Sequence, residues 1–228
     1  MLTNPQPYQA VIAPRPSQAK RSVPRSSKGH FVGQLVYQLR GKPQILSFES
    51  LLEYHAALCL IYMLNVVEVE EQLAPLSFRK PNNSLGTHYF DFRATFRGGK
   101  RWAIAVKPER IAQTYKFKAT MDAIASAAMP EVAQKVSVIT ERNLNPIEVH
   151  NAKLFHAARK VQTQVDEVIQ DALKNILKPM RIFDFLKQVG CNGAGFFSVV
   201  RCIRFGHALH VDGGKICSDS LIMSGQVE

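Results

Sequence analysis

Acidic side chains are scarce in this 228-residue chain. Only 18 Asp and Glu stand against 29 Lys and Arg, which leaves a formal net charge of +11 and a pI near 9.7. That balance points to a polyanionic partner, nucleic acid first and an anionic membrane surface second. Cysteine is also sparse. Cys59, Cys191, Cys202 and Cys217 form no CxxC pair, so a zinc site or a disulfide framework is not expected, and reduced thiols in a cytoplasmic setting are. Long apolar runs are missing as well. The most apolar stretch, ALCLIYML at 57–64, falls far short of the roughly 20 residues that span a bilayer. The N-terminus shows no charged-then-apolar secretion pattern, no segment repeats, and no membrane partner is expected.

What is present suits two domains of roughly 100 to 150 residues. Residues 1–29 mix proline, serine and glutamine with Lys20, Arg21, Arg25 and Lys28 and offer no periodic apolar face. They read as a disordered basic arm, either an inert solvated tail or a DNA-tracking one. Residues 30–144 form the first domain. In it, Leu52, Ala56, Leu60 and Leu64 recur at helical spacing behind Ser47 or Ser50 as N-cap, which predicts a helix. Residues 66–78 predict an edge strand interrupted by Pro75, residues 88–97 and 100–107 a hairpin, 110–128 a second helix and 135–140 another strand. The order is α, β, β, β, α, β. Residues 145–228 form the second domain: helical material up to Pro179, short helices on either side of Gly190, then a hairpin over 207–219 with Asp212, Gly213 and Gly214 at its turn. Short helices followed by a hairpin predict a winged helix-turn-helix.

The hairpin carries the chemistry. Alternation puts Phe90, Phe92, Ala94 and Phe96 with Trp102, Ile104 and Val106 on a buried face, and Asp91, Arg93 and Thr95 with Arg101, Ala103, Ala105 and Lys107 on a polar one. Even-numbered residues then pair with even-numbered ones, which needs an odd loop such as Gly98, Gly99 and Lys100. Asp91 thereby faces Ala105 or Lys107, either as a cross-strand ion pair on a solvated sheet face or as part of a site. Glu49 and Glu53, four apart, can turn one helix face toward the sheet edge. Glu53 has a second reading, since SLLE at 50–53 matches a capping box. An acidic residue on a helix, an aspartate on one strand and a lysine on the next are the parts used in metal-dependent phosphodiester hydrolysis. The carboxylates hold a hard cation that keeps several waters, and the lysine offsets charge in the transition state.

SLLE ending in Glu53, VVEVEEQLAPL, FDF around Asp91 and IAVKP around Lys107, in that order within an αβββαβ core, resemble the TnsA family. These are the endonuclease subunits of heteromeric transposases, with a restriction-endonuclease-like catalytic domain and a PD-(D/E)xK-like site. The likeness continues into a mostly helical, winged-helix-like C-terminal domain and covers most of 45–225, leaving the basic arm outside. It implies an α/β fold and a Mg²⁺- or Mn²⁺-dependent endonuclease. Glu53 and Asp91 would be its metal ligands and Lys107 its catalytic lysine. Its substrate would be double-stranded DNA at the ends of a mobile element, cut on the 5′ strands. A DDE-type transposase, of the retroviral-integrase type, would cut and join the 3′ ends, and an AAA+ ATPase regulator would bind the C-terminal region. One position departs: the residue two before the lysine, commonly Glu, Asp or Gln in such sites, is Ala105. Without a side-chain ligand there, a second metal is poorly held unless the Ala105 carbonyl or Glu49 compensates. The same residues therefore also describe a nuclease-fold DNA-binding or assembly module that does not cut, or a stand-alone nuclease.

Other features carry less. His207 and His210 do not share a strand face, Ser198 and the thiols lack a nucleophile signature, and GGK at 98–100 is a turn without the P-loop pattern. Arg201 and Arg204 are candidates for phosphate contact on a recognition helix whose apolar residues otherwise serve a core. Lys116 and Lys118 either line the DNA path or face solvent.

Overall fold

The computed structural model describes residues 12–20, 31–39 and 42–225, and the chain divides into two compact units, Met1–Glu141 and Arg142–Glu228. In chain order the first contains β1 (Gly33–Tyr37), β2 (Gln44–Phe48), α1 (Leu51–Tyr62), β3 (Val66–Glu71), β4 (Leu76–Arg79), β5 (Leu85–His88), β6 (Phe92–Phe96), β7 (Arg101–Val106), α2 (Glu109–Ala112), α3 (Tyr115–Ala128) and β8 (Lys135–Ile139). The second contains α4 (Pro146–Ala157), α5 (Thr163–Leu173), β9 (Met180–Arg181), α6 (Ile182–Val189), α7 (Phe196–Phe205), β10 (Ala208–His210) and β11 (Leu221–Ser224). The fold is mixed α/β.

The central sheet of the first unit runs β3-β6-β7-β8, with β6 antiparallel to both neighbours and β8 parallel to β7. A parallel neighbour requires a crossover, and α3 supplies it. The expected order α, β, β, β, α, β is thus α1, β3, β6, β7, α3, β8. Two antiparallel hairpins, β1–β2 and β4–β5, are added to it. The predicted helix over 110–128 is two helices, because Thr114 caps the second by accepting the Phe117 N–H at 3.3 Å.

Both faces of this sheet are covered. Ala103 and Ala105 are fully buried in a cluster with Phe78, Phe90, Met121, Ile124 and Ala128. Large side chains from β4, from Phe90 and from α3 cover them. By alternation Phe92, Ala94, Ile104 and Val106 take the other face, and all four are buried, with α1 in contact with β3 and β7. The polar face expected for this hairpin is therefore corrected. Half of it is a helix-packing surface, since alanine at 103 and 105 suits close packing.

The expectation of a disordered arm over 1–29 is corrected for 12–20. Arg15 bridges Gln44, and the buried Glu71 carboxylate accepts from the Ser17 hydroxyl and from the N–H groups of Gln18, at 3.1 Å, and Ser47. A carboxylate removed from water needs such donors, and this segment provides them. The remainder of that expectation lies outside the described residues.

In the second unit a three-stranded sheet ordered β10-β11-β9 joins α5, α6 and α7 around Ile169, Leu173, Ile182, Phe185, Val199 and Ile222. The predicted hairpin over 207–219 is corrected, because β10 pairs with Leu221–Ser224 instead. Asn151 holds the intervening loop in place, accepting from the Ile216 N–H at 2.9 Å and donating to Gly214 O at 3.0 Å. With the Ile216 N–H taken by Asn151 and its side chain buried in the core, that stretch forms no strand.

Candidate active site

The β6–β7 register pairs Phe92 with Ile104, Ala94 with Trp102 and Thr95 with Arg101, even with even as the pattern requires. The three-residue loop is Arg97, Gly98 and Gly99, one position earlier than expected. Gly98 and Gly99 have φ of 87° and 83°, a region that glycine enters without a Cβ penalty. Beyond Phe92 the ladder shifts phase. The Asp91 N–H donates to Ile104 O at 3.0 Å although Phe92 is the residue opposite Ile104, so two residues stand against one in a bulge. Phe90 consequently packs on the α3 side, and Asp91 is turned to the end of β7. Its Oδ2 accepts from the Val106 N–H at 2.7 Å and lies 3.6 Å from Lys107 Nζ. The Asp91 side chain is only 6% exposed and that of Lys107 is 38% exposed, so the ion pair is shielded on one side and open on the other. The Lys107 main chain is fixed by its N–H to Ile139 O at 3.0 Å.

Glu53 arrives from the first turn of α1. Ser50 is the N-cap and accepts the Glu53 N–H at 3.1 Å, while the Ser50 hydroxyl donates to Glu53 Oε1 at 3.1 Å and the Glu49 N–H donates to Oε2 at 2.8 Å. Glu53 and Ser50 thus form the capping box that their spacing offered. Burial raises the carboxyl above its ordinary value, the Glu49 and Ser50 hydrogen bonds oppose that rise, and the Asp91 charge adds to it. Two carboxylates are thus close enough to repel each other. Glu49 does not share a helix face with Glu53 as expected, because it precedes the cap.

His88, the last residue of β5, is one of the scattered histidines to which the sequence assigned no role. Its ring stands edge-on to Phe90 with centroids 4.6 Å apart. Burial, and then the Lys107 charge, push it down to about 4, so it is neutral at physiological pH. Only its spacing of three residues before Asp91 could have drawn notice.

Among the described residues no group of three or more His, Cys, Asp or Glu side chains is placed to hold a metal ion. The pair Glu53 and Asp91 is nevertheless a hard-oxygen donor set in which each charge raises the cost of the other. Hard oxygens of this kind are what a Mg²⁺-like ion takes, through one or two carboxylates with water and phosphate completing its shell. The hydrogen bonds to Glu53 leave lone pairs on both of its oxygens, since a carboxylate offers about four. A second ion finds no side chain at Ala105, which is turned into the α3 cluster.

In the second unit the expectation of Arg201 as a phosphate contact is corrected. The guanidinium is 8% exposed, paired with Asp166, and donates to Ala158 O at 2.7 Å and Ser198 Oγ at 2.9 Å. It ties α7 to α5 and to the end of α4. Arg204 is half-buried. What α7 exposes most is Phe197 and Phe205, a surface for apolar contact. Lys116 and Lys118 are exposed on α3, and the Lys118 ammonium donates to Gln113 Oε1 at 2.8 Å. No helix among the described residues is long and apolar enough to cross a membrane. Compared with known proteins, the chain matches no family model and no curated protein.

Proposed function

We propose that the chain is a metal-dependent DNA endonuclease, the subunit of a heteromeric transposase that cuts the 5′ strands at the ends of a mobile element. In this reading the first unit is a restriction-endonuclease-like domain of the kind the TnsA family uses. One observation carries it: Asp91, turned by a bulge, lies beside Lys107 at the end of the paired strands β6 and β7, with the buried Glu53 near enough to feel its charge. Supporting features are the α, β, β, β, α, β order and the concentration of charge. The first unit holds 18 Lys and Arg against 10 Asp and Glu. The second unit, with β9, α6, α7 and the β10–β11 pair in winged-helix order, is read as a docking module for the DDE-type transposase or the AAA+ ATPase regulator, because α7 presents phenylalanines.

Hydrolysis of a phosphodiester consumes one water. Its oxygen bonds to phosphorus, the bond from phosphorus to the leaving sugar oxygen breaks, and that oxygen ends with the proton the water gave up. Glu53 and Asp91 would hold one Mg²⁺ or Mn²⁺, which when bound supplies Lewis acidity toward phosphate and water. Asp91, fixed by the Val106 N–H, also orients Lys107. The Lys107 ammonium hydrogen-bonds a non-bridging phosphate oxygen and offsets the negative charge that builds there, a contribution of about 10²- to 10³-fold in rate for one preorganised donor. Neutral His88 adds no second cation beside it.

Ala105 favours a second reading, a nuclease-fold DNA-binding or assembly module that does not cut. Nicking of duplexes carrying the element's ends, with Mn²⁺ and the partner transposase, separates the two. Cleavage that disappears in Asp91→Ala supports the endonuclease. A chain that binds these ends and never nicks them supports the assembly module.

A further inference from the structure

We propose that the β4–β5 hairpin is a DNA-contacting arm, seated in the major groove of the duplex beside the phosphate that the Asp91 site cuts; this rests on the endonuclease reading. The hairpin is rooted in the site's own backbone. Gln72 N–H donates to Asp91 O at 2.9 Å and Leu73 N–H to Phe90 O at 3.0 Å, and from there the chain leaves through β4 and returns through β5 to His88, three residues before Asp91. The pairs run outward from Leu76 with His88 to Arg79 with Leu85. The outermost pair therefore stands at most about 20 Å from the Asp91 main chain, at about 3.4 Å per strand residue, and the turn at the tip at most about 30 Å. A two-stranded ribbon is one of the elements the major groove admits, its width being about 12 Å.

The two faces of the hairpin differ. Phe78 is buried against α3. Opposite it Gly86 has no Cβ, and one built there would come within 2.9 Å of the Phe78 ring and 2.8 Å of the Lys80 stem. Glycine thus lets the ring and the lysine stem lie flat across the ribbon. The other face and the tip are exposed: Ser77, Arg79, Lys80, Asn82, Asn83, Leu85 and Thr87 all face solvent. The tip is nonetheless shaped. Lys80 N–H bonds Ser84 O at 2.9 Å, Asn83 N–H bonds Lys80 O at 2.8 Å, and Asn82 Oδ1 accepts from the Ser84 hydroxyl at 2.8 Å. No Asp or Glu occurs anywhere from Gln72 to Phe90. An ordered, acid-free protrusion bearing Arg, Lys, amides and hydroxyls has the donors that phosphates and base edges accept. One guanidinium nitrogen of Arg79 donates to Asn83 O at 3.3 Å, which leaves its other N–H donors to face solvent.

The test is binding of a short fluorescent duplex by the full chain in EDTA, followed by anisotropy as salt is raised, alongside the nicking assay. Arg79→Ala/Lys80→Ala should weaken binding about tenfold and flatten the slope of log K against log salt by about 1.8, near 0.9 for each lost contact. Lys178→Ala/Lys187→Ala, which removes the same charge from exposed sites of the second unit, should change neither. Thermal unfolding confirms that the variants fold. Methylation of guanine N7, a major-groove atom, should interfere with binding of the wild-type chain only beside the cut. Equal loss in both double variants, or none in the hairpin variant, overturns the proposal, as does interference spread without a centre. If Asp91→Ala nicks normally while the hairpin variant still loses binding, the endonuclease reading fails and the DNA contact stands.

Discussion

Ala105→Glu restores on paper the acidic residue that sites of this type carry two positions before the lysine, and the structure predicts that it damages the protein instead. The Ala105 side chain is fully buried among Phe90, Met121, Ile124 and Ala128. A glutamate adds four heavy atoms to a packed layer, and overpacking alone costs about 1–3 kcal/mol. Its carboxylate would enter an apolar cluster. Either it ionises at a penalty of several kcal/mol or it stays protonated with an unmet hydrogen-bonding need of about 1–3 kcal/mol. The cheaper route sums to about 2–6 kcal/mol, a large part of a typical domain stability of roughly 5–15 kcal/mol. Urea unfolding of wild type, Ala105→Glu and Ala105→Gly by tryptophan fluorescence measures it, Trp102 being the single tryptophan. Ala105→Gly should lose only about 1 kcal/mol. The reasoning is refuted if Ala105→Glu unfolds at the wild-type midpoint, because the side chain at 105 would then face water or the carboxylates and not α3.

Other substitutions probe separate links. Glu53 has a folded-state pKa above its ordinary 4.5, burial first. Its favourable contribution is therefore complete below 4.5 and lost as pH rises through the higher folded value. Glu53→Gln should raise the urea midpoint near neutrality, with the gain vanishing in acid; a gain that grows in acid contradicts the assignment. Arg201→Met should destabilise the second unit by about 3 kcal/mol, since it strands the Asp166 carboxylate beside a buried interface, while leaving duplex affinity of the folded chain unchanged. Calorimetry and anisotropy read the two effects. Glu71→Ala removes the acceptor that Ser17, Gln18 and Ser47 share. Hydrogen exchange at Gln18 and Lys20 should accelerate by at least tenfold, with little change along β6 and β7; unchanged protection would show that the segment is held by Gln44 alone.

How much of this was readable beforehand follows from the kind of signal each element carries. The pairing parity of β6 and β7 was legible because Phe92, Ala94 and Ile104 alternate without interruption, and α1 because Ser50 and Glu53 have capping spacing. The bulge at Asp91 was not. It comes from the fit of β6 between β3 and β7, and its partners Gln72 and Ile104 are distant in sequence. The cover over Ala103 and Ala105 was missed for a related reason: alanine is compatible with either a solvated or a packed face, and only α3 decides. β4 and β5 are four residues each, too short for a period to register. The fate of Arg201 was hidden because a buried arginine needs Asp166, 35 positions away, and nothing local announces the pairing. In the site itself, the expected register put Asp91 near Lys107, but the bulge that turns it there was not legible.

The count of Mn²⁺ ions bound to the full chain on a saturating duplex, read by electron paramagnetic resonance, tests the central claim most directly: Glu53 and Asp91 together hold a single divalent cation. One equivalent is expected for wild type and for Lys107→Ala, and none for Asp91→Ala. Two equivalents in wild type, or one that survives Asp91→Ala, would contradict it.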